Sequence, residues 1–135
     1  MITRSNPDVG YMAGDVFKTF AFTQTIKAGN TLYLSGIAPL RGGLGKLELV
    51  GEGDLSAQVE WILEVMKRCL EAEGATFRNL VAQTVYTTNI AELTKLADLF
   101  RRAFGDHAPT STWVEVKALF HPLQMVEING IAVLD

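Results

Sequence analysis

Cysteine is nearly missing from this chain: Cys69 is the only one in 135 residues. No intrachain disulfide can form, so the fold must be held by its core, which fits a reducing compartment. Long apolar runs are missing too. No stretch approaches the roughly eighteen residues of a membrane span, and Met1-Ile2-Thr3-Arg4-Ser5-Asn6-Pro7 lacks the apolar core of a signal peptide. A cytoplasmic protein without membrane contact is the expectation. Positive charge is scarce: twelve Lys and Arg face fifteen Asp and Glu, for a net charge of −3. The densest basic cluster is Arg101-Arg102. Proteins that grip a phosphate backbone depend on clustered Lys and Arg, so nucleic acid is not an expected partner. His107 and His121 stand alone, without clustered Cys or paired carboxylates, and make no zinc site.

What remains is ordinary globular chemistry. Hydrophobic residues are 48% and charged residues 20%, enough to bury one core and far from a disordered composition. The length suits a single domain spanning 1–135, without repeat or linker.

Residues 1–15 carry Pro7, Gly10 and Gly14 and little periodicity, and read as an irregular arm. Thr19 to Lys27 reads as a short strand with Phe20, Phe22 and Ile26 on one parity. After the turn residues Ala28-Gly29-Asn30, a second strand follows over Thr31–Gly36. Gly42-Gly43-Leu44-Gly45 fits no phosphate-loop pattern and reads as a plain loop. Asp54 looks like a helix N-cap. From Leu55, apolar residues Val59, Ile62, Met66, Cys69 and Leu70 recur at three and four residues until Gly74, giving a helix of about five turns. Cys69 falls on that stripe and reads as a buried structural thiol. Leu80–Thr88 reads as a strand. Asn89 with Glu92 resembles a capping box, opening a second helix through Leu93, Leu96, Phe100 and Phe104 to Gly105. Thr112–Leu119 and Met125–Leu134 read as two closing strands joined by a short turn at Phe120-His121-Pro122.

The fold class expected is α+β: a mostly antiparallel sheet with two helices on one face. The last strand is apolar on both parities near its end. In a domain this small a second copy is the natural cover for the bare side, so an oligomer is expected.

Several segments, in order, resemble the RidA/YjgF family, whose members are also labelled L-PSP endoribonucleases. They are Leu32-Tyr33-Leu34-Ser35-Gly36, Gly53-Asp54 with Gln58, Glu73-Gly74-Ala75, Pro109 through Val116, and Val126 through Ala132. The resemblance implies a chorismate mutase-like homotrimer with small-molecule clefts between subunits. It implies hydrolysis of imines and enamines to oxo compounds and ammonia. No cofactor is implied, because an imine carbon is already electrophilic. Position by position, the family's Ser-Gly pair appears as Ser35-Gly36 and the glutamate of its last strand as Glu127. Its substrate-binding arginine is replaced by Ser111, its tyrosine near the first strand by Phe22, an asparagine on the second helix by Ala97, and a small residue by Trp113.

Glu127 is thus the candidate catalytic residue. Flanked by Val126 and Ile128, its carboxylate needs a polar cavity, a solvent-exposed sheet edge, or a cross-strand partner such as Lys117. Ser35, Gly36, Phe22, Ser111, Thr112 and Trp113 are the candidate substrate-binding residues, with ordinary strand residues an equal reading of Ser111 and Thr112 and a packed interface aromatic the stronger reading of Trp113. Arg41, Arg101 and Arg102 are the cations available to replace the missing guanidinium from elsewhere in the trimer, while solvated surface charge is the safer reading of each. Two functions follow: a divergent deaminase acting on an imine, enamine or related small metabolite, or a trimer that binds a small ligand without catalysis. The ribonuclease label has neither a basic groove nor a pair of histidines behind it.

Overall fold

The computed structural model describes residues 1–135. In chain order the elements are β1 (Ile2–Ser5), α1 (Gly14–Phe20), β2 (Thr25–Ala28), β3 (Thr31–Ile37), β4 (Leu40–Arg41), β5 (Glu48–Leu49), α2 (Leu55–Ala72), β6 (Leu80–Thr87), α3 (Ile90–Thr94), α4 (Ala97–Phe104), β7 (Thr110–Glu115) and β8 (Val126–Val133). Six strands form one sheet in the order β1-β2-β3-β8-β6-β7, antiparallel except for the parallel pair β6–β7. The α+β class with a mostly antiparallel sheet stands as expected, with four helices.

The long helix forms where its stripe requires. The Asp54 carboxylate accepts from Ala57 N at 3.0 Å and satisfies one orphan donor of the first turn. Val59, Ile62, Val65, Met66, Cys69 and Leu70 are fully buried against Leu32, Ile37, Val126, Ile128 and Ala132 of β3 and β8. Gly74 follows at φ +77°, the left-handed conformation that lets the chain leave the helix. Phe100 and Phe104 of α4 join the same core.

Four boundaries differ from the sequence reading. The arm is ordered: β1 adds to the sheet edge by pairing with β2, Ile2 opposite Ala28 and Ser5 opposite Thr25. Such a partner is non-local and leaves no periodicity in four residues. Thr19–Lys27 is not one strand. Phe20 ends α1, Ala21 turns the chain at φ 57°, and only Thr25–Ala28 is extended, so Phe20 and Phe22 share parity across a helix end. The second helix breaks between Thr94 and Ala97, where Leu96 offers no side-chain cap and its N–H bonds back to Leu93 O at 2.9 Å, a tightened turn. Finally, Thr112–Leu119 ends early and does not form a hairpin with Met125–Leu134. β7 runs parallel to β6 through an α3–α4 crossover, and β6 separates it from β8. The intervening residues 116–125 form a long loop.

Strand alternation then sorts the faces. Ile128, Val85 and Trp113 lie in one row across β8, β6 and β7, on the helix side, because Trp113 packs on Phe100 with ring centroids 5.0 Å apart. Glu127, Asn129 and Ile131 point the other way. That second face is apolar and bare near the end of β8: Tyr33 and Ile131 are cross-strand partners, 48% and 36% exposed, with Val133 at 43%.

Candidate active site in an apolar cleft

Glu127 sits in the central strand β8, flanked by β3 and β6, so it is not an edge residue. No ion pair joins it to Lys117. Its carboxylate faces a cleft of about 280 Å³ lined by Tyr11, Met12, Val16, Phe20, Phe22, Ser35, Gly36, Ala38, Phe120 and Glu127 itself. The lining contains no Lys, Arg or His. The cleft is therefore an apolar pocket with one carboxylate and no built-in counter-charge.

Two buried glutamines position that carboxylate. Gln58 on α2 is fully buried; its Nε2 donates to Gly51 O and Leu123 O, and its Oε1 accepts from Met125 N at 2.8 Å. This holds the end of the 116–125 loop. Gln124, in turn, donates from Nε2 to Glu127 Oε1 and to Val126 O, each at 3.1 Å. A helix thereby fixes the Glu127 carboxylate through a loop, by hydrogen bonds made inside the protein.

Gly36 is the close neighbour. A Cβ there would run into the Glu127 carboxylate, so only glycine leaves room for that group beside β3. Ser35 is held by its own bonds: Oγ donates to Thr23 O at 2.6 Å and N donates to Gln24 O at 2.9 Å. Its hydroxyl lone pairs remain for a ligand. Phe22 lines the cleft and packs on Phe17, centroids 4.9 Å apart.

Tyr11 supplies a hydroxyl that the sequence reading missed. It is 6% exposed, and its oxygen accepts from Ala38 N at 2.8 Å, leaving its O–H free to donate. Burial, with the Glu127 charge adding to it, raises the phenol well above its ordinary value, so Tyr11 stays a neutral donor at any physiological pH. Phe20 from α1 and Phe120 from the 116–125 loop meet edge to face, centroids 5.2 Å apart. Tyr11, Gln124 and Phe120 come from segments without periodicity, Phe20 from a pattern read as a strand that is a helix end, and no sequence signal placed them together.

Ser111 and Trp113 lie elsewhere, in a second cavity of about 260 Å³ on the helix side with Gln83, Phe100, Arg101 and Phe104. Ser111 Oγ accepts from Gln83 Nε2 at 3.0 Å and from Trp113 Nε1 at 2.9 Å. Thr112 is exposed on the opposite side of β7. Arg41 pairs with Glu48 at 3.0 Å and lies over Trp61. Arg101 pairs with Asp98 and borders the second cavity, and Arg102 donates to Asp98 O. None of the three reaches the Glu127 cleft within one chain. His121 Nδ1 accepts from Leu123 N at 3.0 Å and serves the loop. Cys69 is fully buried on α2. No helix is long and apolar enough to cross a membrane.

Fold and cleft define a class first: α+β domains built on one sheet, with a carboxylate from a central strand set in an apolar pocket. The chain belongs to the endoribonuclease L-PSP family, the RidA/YjgF family, whose model matches residues 16–134. It is 32% identical over 111 residues to a RutC family protein of Pyrococcus horikoshii, covering 82% of this chain and 85% of that one. It is 26% identical to the 3-aminoacrylate deaminase RutC of Acinetobacter baylyi, again over 82% and 85% of the two chains. The crystal structure of RidA from the Antarctic bacterium Psychrobacter sp. matches at a TM-score of 0.82 and 26% identity, covering 98% of this chain and 99% of that one.

Proposed function

We propose that the protein hydrolyses imines or enamines of small metabolites, with Glu127 as the proton-transfer group, in clefts completed between the subunits of a homotrimer. The observation that carries this is the Glu127 carboxylate, held by Gln124 in an apolar cleft without a cation. A protonated imine is the counter-ion such a site lacks. The deaminases among the relatives support the reaction class. Water attacks the C=N carbon as Glu127 takes its proton. Glu127 then returns the proton to nitrogen and takes up the hydroxyl proton of the carbinolamine as its C–N bond breaks, so that the C=O product leaves with ammonia and the proton is released to solvent. Tyr11 donates a hydrogen bond into the same space.

Subunit contacts enter because Glu127 and the Ser111–Trp113 cavity lie on opposite sides of one sheet. Residues from both can meet a single ligand only across two copies, and the bare Tyr33–Ile131 face is the surface a copy would cover. Ser111 cannot hold a carboxylate bidentately as arginine does. Loss of such a contact costs about 2–5 kcal/mol, so turnover of 2-aminoacrylate should be weak. The test is ammonia release from freshly generated imines by wild type and Glu127→Gln. Turnover that disappears in the variant supports the reaction; equal rates in both remove Glu127 from it.

The alternative is a trimer that binds a small ligand without catalysis. It is favoured by Ser111, whose oxygen is already occupied by two protein donors. Saturable binding with no ammonia from any imine would select it.

A further inference from the structure

The walls of the Glu127 cleft are more specific than its chemistry requires. Its polar side-chain groups are few, the Ser35 and Tyr11 hydroxyls and the Glu127 carboxylate, and the rest of the lining is hydrocarbon and the Gly36 backbone. Met12, Val16 and Phe22 are part of that apolar lining. Phe20 and Phe120 line it from two different elements, are 48% and 54% exposed, and pack edge to face at its solvent-accessible side. An apolar cavity of roughly 150 Å³ is enough to hold benzene, and this one measures about 280 Å³. A ligand with only a methyl side chain would leave that hydrocarbon wall in contact with water.

We infer that the cleft selects cationic or protonatable C–N compounds, imines above all, that carry a bulky aromatic or branched apolar side chain, with the Phe20–Phe120 pair as the specificity element. The nitrogen end faces Glu127, the one charged side chain this chain gives the cleft, while the side chain packs on Met12, Val16, Phe22 and the two rings. This rests on the reading of the Glu127 cleft as the ligand site and adds the class of side chain. Each buried methylene is worth roughly tenfold or more in a fitted apolar pocket. A phenyl group should therefore gain at least about tenfold over a methyl group.

The test is binding, followed by the chemical shift of the Gly36 amide in the assembled protein. The probes are 2-phenylethylamine and ethylamine, both ammonium ions at pH 7, so the shared charge cancels in their ratio. The expected result is 2-phenylethylamine binding at least about tenfold more tightly, with the ratio falling toward one in Phe120→Ala. Phe120 is in an exposed loop, which makes this variant safe for folding; Phe20→Ala should act the same way. Equal affinities, a ratio untouched by both variants, or no Gly36 shift with either probe at millimolar concentration would overturn the inference. Ammonia release is scored separately, from imines of phenylalanine and alanine. Side-chain-selective binding without ammonia from either leaves this inference standing and removes the deaminase reading.

Discussion

Glu127 is useful because its surroundings leave it nowhere else to go. Gln124 fixes one oxygen at 3.1 Å, and Gly36 leaves the other its space. Gly36→Ala should therefore push the carboxylate aside and lower kcat/KM on any accepted imine at least about a hundredfold, the scale expected of a misplaced reacting group. Circular dichroism should show the fold retained, and unchanged kinetics would mean that the Glu127 position is not critical. Tyr11→Phe would leave the buried Ala38 N–H without its acceptor, a loss of about 1–3 kcal/mol, readable as a lower midpoint in urea. At this scale family resemblance singled out Glu127, Ser35, Gly36 and Phe22, and all four line one cleft; no strand pattern by itself points to them, and Phe22 lies outside any strand. Tyr11, Phe20, Gln124 and Phe120 escaped it. They reach the pocket from loops and a short helix, where neither spacing nor alternation encodes which way a side chain points.

Among the elements, α2 carries both the core and the support of the site. Its Cys69 thiol is pushed up to about 11 by burial, with Glu73 adding to it. The folded state thus holds its proton more tightly than the unfolded chain, whose thiol titrates near 9. The associated stability is complete below about pH 9 and is lost as pH rises toward 11. Denaturant midpoints should fall across that window, and Cys69→Ala should flatten part of the fall, with the remaining slope assigned to Tyr11. A midpoint that is level from pH 9 to 11 would contradict the buried thiol. The boundaries of α2 were readable because Asp54, the apolar stripe and Gly74 all agree. The break at Lys95–Leu96 was not, since the apolar spacing runs through it and only tertiary packing decides the turn. The β6–β7 pairing was hidden for a related reason: a strand's sequence shows its faces but not its neighbour.

For the whole molecule, the sheet's second face sets the problem. Ile131 and Val133 on the strand that carries Glu127, with Tyr33 on the neighbouring strand, present apolar surface, and burial of such surface stabilises by about 25 cal/mol per Å². Replacing Ile131 with Asp should break the proposed trimer into smaller species and lower the proposed turnover with it. An unchanged assembly would move the interface elsewhere. The sequence exposed this face through the double-sided apolarity of the last strand, whereas the number of copies came only from family resemblance. Sedimentation equilibrium at micromolar concentration is the most direct check. The expected mass is about 44 kDa, three times the 14.8 kDa chain. A single stable species of 14.8 kDa would contradict it, because the Glu127 and Ser111 sides of the sheet would then never share a ligand.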